Sequence, residues 1–220
     1  MLTRSGDKLG VSTSAEPAGT FEWKGESPLP GTQGVGDVNA FLDDDGKAYV
    51  IYPAGTGPDA KDRIVCAGLS ADWTAAAAVV QTYPESPLGS PALWKRGATY
   101  YCTASEAGGW APSEIHFSAA PAIGGPWKPW KRMDRSHFNA QHNSVFRVDG
   151  AQGSLFVFMG DRWSQFTRYG VGKQVWLPVE FDGDTPVVTW LRPWHPDITQ
   201  GTYQHELRRY GLYRGWPKDK

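Results

Sequence analysis

The chain has 220 residues, a net charge of −1 and 20% charged residues. That length suits one sizeable domain or two small ones. The balanced charge gives no basic field for nucleic acid or anionic lipid, and no apolar run approaches the ~18 residues of a membrane span, so neither is an expected partner.

The opening MLTRSGDKLG lacks the apolar segment of a signal peptide; as written, the chain is expected to be cytoplasmic. Residues 8–24, KLGVSTSAEPAGTFEWK, are similar to a later stretch, EIHFSAAPAIGGPWKPW, and read as the two outer strands of a β-sheet unit. DVNAFLDDDGKAYVIY starts at residue 37 and is a hairpin pattern. Asp-Gly between alternating apolar residues favours a tight turn, because both residues tolerate positive φ. Asp43, Asp44 and Asp45 are therefore expected at an exposed strand tip, whereas Asp37 stands at the start of the first strand. RIVCAGLSADW follows as a further strand pair.

The pattern then recurs. SPALWKRGATYYCTAS starts at 90 and is followed by EIHFSAAPAIGGPWKPW; QHNSVFRVDGAQGSLFVFMGDRW starts at 141 and is followed by QVWLPVEFDGDTPVVTWL. A four-strand unit repeating every ~50 residues is the signature of propeller blades. The expected fold is all-β: a β-propeller of three four-stranded blades plus an N-terminal half blade, in one domain over 1–220. Its parts are the half blade 8–24, the blades 37–75, 89–131 and 141–192, and an extension 193–220 that reads as a capping helix or a subunit contact. An open arc of blades leaves strand edges to cover, which two chains could do for each other as a homo-oligomer. Cys66 and Cys102 lie in strand-like runs and read as buried free thiols. The 11 tryptophans divide between an aromatic core and sugar-stacking platforms.

The phrases GDVNAFLDDDGKAYVIY, SPALWKR, GGWAP, GGPW, FNAQHNSV, MGDRW and VWLPVEFDGD, in this order, resemble glycoside hydrolase family 43 and most of all its exo-β-1,3-galactanase branch of five-bladed propellers. The resemblance spans about residues 8–195, and many family members are secreted or periplasmic. It implies inverting hydrolysis of galactose-containing glycans of the β-1,3-galactan or arabinogalactan type, with an oligo- or polysaccharide as partner. An inverting acid and a water-holding group stand about 6.5–9.5 Å apart. On this resemblance Asp37 matches an auxiliary aspartate, Trp110 a tryptophan bordering the sugar, and Gln141 a glutamine that positions the attacking water.

The family's acid, a glutamate, corresponds to Ser90, and a serine hydroxyl is no acid near neutral pH. Glu114, just after Trp110, is the most attractive substitute, against the plain alternative of an exposed strand-start glutamate; Glu85 and Glu106 flank the same region. Asp161 with Arg162 reads either as a bracing ion pair or as a substrate clamp, and Trp163 as core or stacking platform. His116, His137 and His142 could act as acid or base, though alternation turns His142 away from Gln141. No organic cofactor is implied and no metal-ligand spacing is present; a structural calcium follows from the resemblance alone, without a ligand motif. Two alternatives to an enzyme stand beside it: a sugar-binding propeller without turnover, and a remnant that folds by self-association.

Overall fold

The structure is a computed structural model; it describes residues 1–5, 7–31, 34–55, 63–83, 88–106, 111–133, 138–163, 172–191 and 193–205. These residues are all-β, with every strand pair antiparallel and no helix among them.

The first sheet has the order β1-β2-β3, from β1 (Leu2–Ser5), β2 (Lys8–Thr13) and β3 (Glu22–Pro28). The partial blade expected from two strands thus carries a third, β1, on its inner side. In the second sheet β6 (Ala48–Gly55), β7 (Arg63–Leu69) and β8 (Ala76–Tyr83) follow an inner strand broken into β4 (Gly34–Val35) and β5 (Asn39–Leu42), both paired to β6. The third sheet runs β9 (Leu88–Arg96), β10 (Thr99–Glu106), β11 (Ile115–Ala120), β12 (Lys131–Arg132). The fourth runs β13 (Gln141–Gly150), β14 (Gly153–Arg162), β15 (Lys173–Asp182), β16 (Thr185–Val188). The C-terminal stretch, read from sequence as a capping helix or a subunit contact, is over its described part a hairpin of β17 (Trp194–Asp197) and β18 (Thr202–His205). The strand-favouring Trp194, Thr202 and Tyr203 and the Gly201 turn (φ +67°) suit a strand pair.

Period-two alternation distributes each strand between two cores. On β6, Val50, Tyr52 and Ala54 pack towards Leu9 and Val11 of the first sheet, while Ile51 packs towards Leu93 and Cys102 of the third. On β9 and β10 the neighbours of those residues, Trp94 and Tyr101, join Phe156, Phe158 and Leu177 of the fourth sheet. Trp94 stacks on Tyr101 with ring centroids 4.3 Å apart. Three apolar layers therefore bind four successive sheets face to face, as propeller blades pack. Cys66 and Cys102 are buried and free, and burial pushes the Cys66 thiol up to about 12.

The Asp-Gly turn forms as expected, with Asp43 N–H on the Lys47 carbonyl and Gly46 at φ +82°. Asp43, however, is buried rather than exposed. Its carboxylate accepts from the Tyr100 hydroxyl (2.6 Å) and from Lys95 Nζ (2.9 Å), and so ties the second sheet to the third. Asp44 and Asp45 remain exposed.

Candidate carbohydrate cleft

The starts of three inner strands meet at one end of the sheets, and each is irregular there. Between β4 and β5 the inner strand leaves β6 over residues 36–38, opposite Tyr52 and Pro53. Pro53 accepts from Gly36 N–H (3.1 Å) but has no N–H to continue the ladder. Asp37 lies in this break and is exposed. In β9, Gly89 pairs with Ser105 and Ala92 with Thr103, so Ser90 and Pro91 together face Ala104 as a bulge. Ser90 has φ +47°, the left-handed region that disfavours a side chain by about 1–2 kcal/mol. In β13, Asn143 is an extra residue between His142 and Ser144, and the chain arrives through two more left-handed residues, Phe138 and Asn139. Bulges and backbone strain gather where a side chain must be re-aimed.

The re-aimed side chains form one directed chain of hydrogen bonds. Trp163 Nε1–H donates to Gln141 Oε1 (2.8 Å), Gln141 Nε2–H to Ser90 Oγ (3.1 Å), and Ser90 O–H to Asp37 Oδ2 (2.6 Å). The direction is fixed chemically: an indole can only donate, so the amide oxygen faces it and the amide nitrogen faces the serine. The serine proton then goes to the carboxylate. Beside the chain, Asn143 Nδ2 donates to Asp161 Oδ2 (2.7 Å), with Gln174 Nε2 at 3.5 Å from Oδ1. Asn39 Nδ2 bridges the carbonyls of Pro91 and Asn143, 2.9 Å from each. His142 Nδ1–H donates to the Ser90 carbonyl (2.7 Å). Burial pushes this imidazole down to about 4, so at neutral pH it is uncharged with its proton on Nδ1.

Asp37, Asn39, Ser90, Gln141, Asp161 and Trp163 line a cleft of about 420 Å³. Its surface offers carboxylate and amide acceptors next to an indole that is 39% exposed, a mixture suited to the hydroxyls and apolar face of a sugar.

Five of the sequence-derived residues thus meet: Asp37, Ser90, Gln141, Asp161 and Trp163. Arg162 points elsewhere, because strand neighbours face opposite sides. Its Nε and Nη2 both donate to the Phe138 carbonyl (3.1 and 2.7 Å), and its guanidinium lies 5.0 Å from the Trp190 ring centroid. It is not among the residues lining the cleft, and it braces the left-handed turn ahead of Gln141. Glu114, just before β11, does not line the cleft. Its carboxylate bonds the Arg132 guanidinium, and a carboxylate oxygen lies within 4.8 Å of a carboxylate oxygen of Glu106 and of a ring nitrogen of His116. Trp110, Glu85 and His137 lie outside the described residues. Sequence reading set His142 aside and missed Asn39 and Asn143. The first does face away from Gln141 but reaches the bulge of the neighbouring sheet, and no local signal marks the other two.

The profile of glycosyl hydrolases family 43 matches residues 2–186. The chain belongs to glycosyl hydrolase family 43. Among solved structures, an exo-β-1,3-galactanase from Clostridium thermocellum is similar at a TM-score of 0.82 and 23% identity, with 93% of this chain and 47% of that chain covered. An exo-β-1,3-galactanase from Phanerochaete chrysosporium with β-1,3-galactotriose follows at 0.79 and 26%, covering 91% and 46%. A family 43 β-1,3-galactosidase is similar at 0.72 and 26%, covering 84% and 39%. The chain therefore spans about half the length of these galactanases. Among curated proteins no match was found. Within family 43 these neighbours are five-bladed propellers, and the four sheets here are blades of that fold.

Proposed function

We propose that this family 43 chain acts on galactose-containing glycans of the β-1,3-galactan or arabinogalactan type, as a glycoside hydrolase whose acid is not residue 90. The observation that carries this reading is the convergence of Asp37, Ser90, Gln141, Asp161 and Trp163 on one cleft from three different sheets. The galactanase and galactosidase structures similar to this chain support the sugar class.

In this reading Asp37 and Asp161 bind or polarise sugar hydroxyls and water. Gln141, held at both ends of its amide, keeps a water in place. Trp163 contributes an apolar platform. With Ser90 donating to Asp37, protonation of the leaving oxygen falls to another carboxyl: Asp161 within the cleft, or Glu114, which would have to leave Arg132. One observation favours a second reading, binding without turnover: residue 90 is a hydroxyl hydrogen-bonded to a carboxylate, so its proton is directed away from any leaving group.

The test is product release from β-1,3-galactan, arabinogalactan and aryl galactosides, with calorimetric binding in parallel. Ser90→Ala retains turnover under the hydrolase reading, while Asp37→Asn and Asp161→Asn lower it by on the order of 10²-fold, the scale of one acid-base group. Comparing Glu114→Gln with Asp161→Asn identifies the acid. Saturable binding with no release in the wild type leaves the second reading, and neither binding nor release overturns both.

A further inference from the structure

The bulge that carries Ser90 is a costly conformation. Ser90 has φ +47° although it is not glycine, and it precedes Pro91, whose ring disfavours helical geometry in the residue before it. Such a residue persists only where surrounding contacts over-determine it. Two of those contacts reach the backbone rather than the hydroxyl: His142 Nδ1–H holds the Ser90 carbonyl, and Asn39 Nδ2–H holds the next carbonyl, that of Pro91. His142 is 1% exposed. Its other ring nitrogen is buried with no hydrogen-bond partner among the described residues. The hydrogen bond to residue 90 is therefore what its imidazole offers this region beyond packing, since Phe158, 5.8 Å away between ring centroids, would accept any ring.

We propose that His142 is a positioning residue: through the Ser90 carbonyl it holds the left-handed turn that aims the side chain at position 90 between Asp37 and Gln141. Asn39 assists from the second sheet, since the same amide also holds the Asn143 carbonyl and so ties the bulges of β9 and β13 to each other. Cleft geometry then depends on two side chains whose hydrogen bonds are made to backbone carbonyls. The inference rests on the carbohydrate reading only for its binding readout; its structural readout is independent of any sugar.

The experiment is a double-mutant cycle between His142→Leu and Ser90→Gly, read by urea unfolding. Glycine adopts positive φ without strain, so the loss caused by His142→Leu should shrink at least about fivefold in the unfolding constant when residue 90 is glycine. Equal losses in the two backgrounds would mean that His142 is only a core filler, and would overturn the proposal. Should His142→Leu not fold, His142→Asn and His142→Gln replace it in the cycle. The asparagine amide nitrogen lies near the place of Nδ1, so His142→Asn keeps the coupling and His142→Gln loses it. Crystal structures add a direct check: the Ser90–Asp37 hydrogen bond is kept in His142→Asn and lost in the leucine or glutamine variant, and its survival there contradicts the proposal. Affinity for β-1,3-galactotriose should follow the same order, weakening about tenfold where the turn is lost. If the wild type binds no galactotriose, the sugar reading fails while the cycle and the crystal structures still decide the role of His142.

Discussion

Asp43 and Asp37 show how one residue type takes opposite roles within a few positions. Burial alone would push Asp43 up, but hydrogen bonds from Tyr100, Lys95 and the Asp44 N–H, with the charge of Lys95, bring it below the usual aspartate range. It is a joint between two sheets. Asp43→Ala should cost about 1–3 kcal/mol, the scale of leaving a partly buried hydrogen-bonding group without its partner, since Lys95 is only half-buried and keeps Asp44 at 3.1 Å; urea denaturation measures this. Asp37 is exposed and gives its carboxylate to Ser90 and the cleft, so Asp37→Asn should leave the unfolding midpoint nearly unchanged while affecting ligand. A local turn signal is compatible with either an exposed or a clamped aspartate. Only the cross-sheet partners, 52 and 57 positions away in sequence, decide between them.

At the scale of elements, the repeat was legible because hairpins are local: turn glycines, alternating apolar residues and a regular spacing all lie within one unit. The irregularities that build the cleft were not. The break at residues 36–38, the Ser90 bulge and the extra Asn143 are each one- or two-residue departures, set by pairing with a partner strand. Glu114 shows the same limit. Its sequence neighbour Trp110 suggests the sugar site, but β11 pairs with β12 so that Arg132 stands opposite His116 and takes the Glu114 carboxylate. The C-terminal hairpin gives an element-scale prediction. Gly150 and Gly201 approach so closely that a Cβ on Gly201 would fall on the Gly153 carbonyl, and its φ is +67°. Gly201→Ala should therefore detach the hairpin or lower the melting temperature by several degrees, whereas Gly183→Ala, at φ +60° in open space, should cost only the backbone strain of about 1 kcal/mol. Thermal unfolding of the two variants compares them.

For the whole molecule, pH is a lever with a defined sign. The folded state holds His142 at about 4, below its ordinary 6.5, so the unfolded chain takes up the proton first. Stability is then full above pH 6.5 and falls as pH drops from there to about 4, by on the order of 3 kcal/mol from this group. Asp43, lowered in the fold, adds a further loss at pH below 3.8. Urea midpoints across pH 3–8 check this, and a curve flat from 7 to 4 would contradict the buried neutral imidazole. Four sheets held by three shared cores provide the frame on which the cleft depends, and cross-sheet hydrogen bonds such as Ser90–Asp37 and Asn39–Asn143 tie its residues together on that frame. The most direct test of the central claim is sugar release from β-1,3-galactan by the wild-type chain and by Asp37→Asn. Galactose release by the wild type should fall by about 10²-fold in the variant; equal release by both, or none from either, contradicts hydrolysis at this cleft.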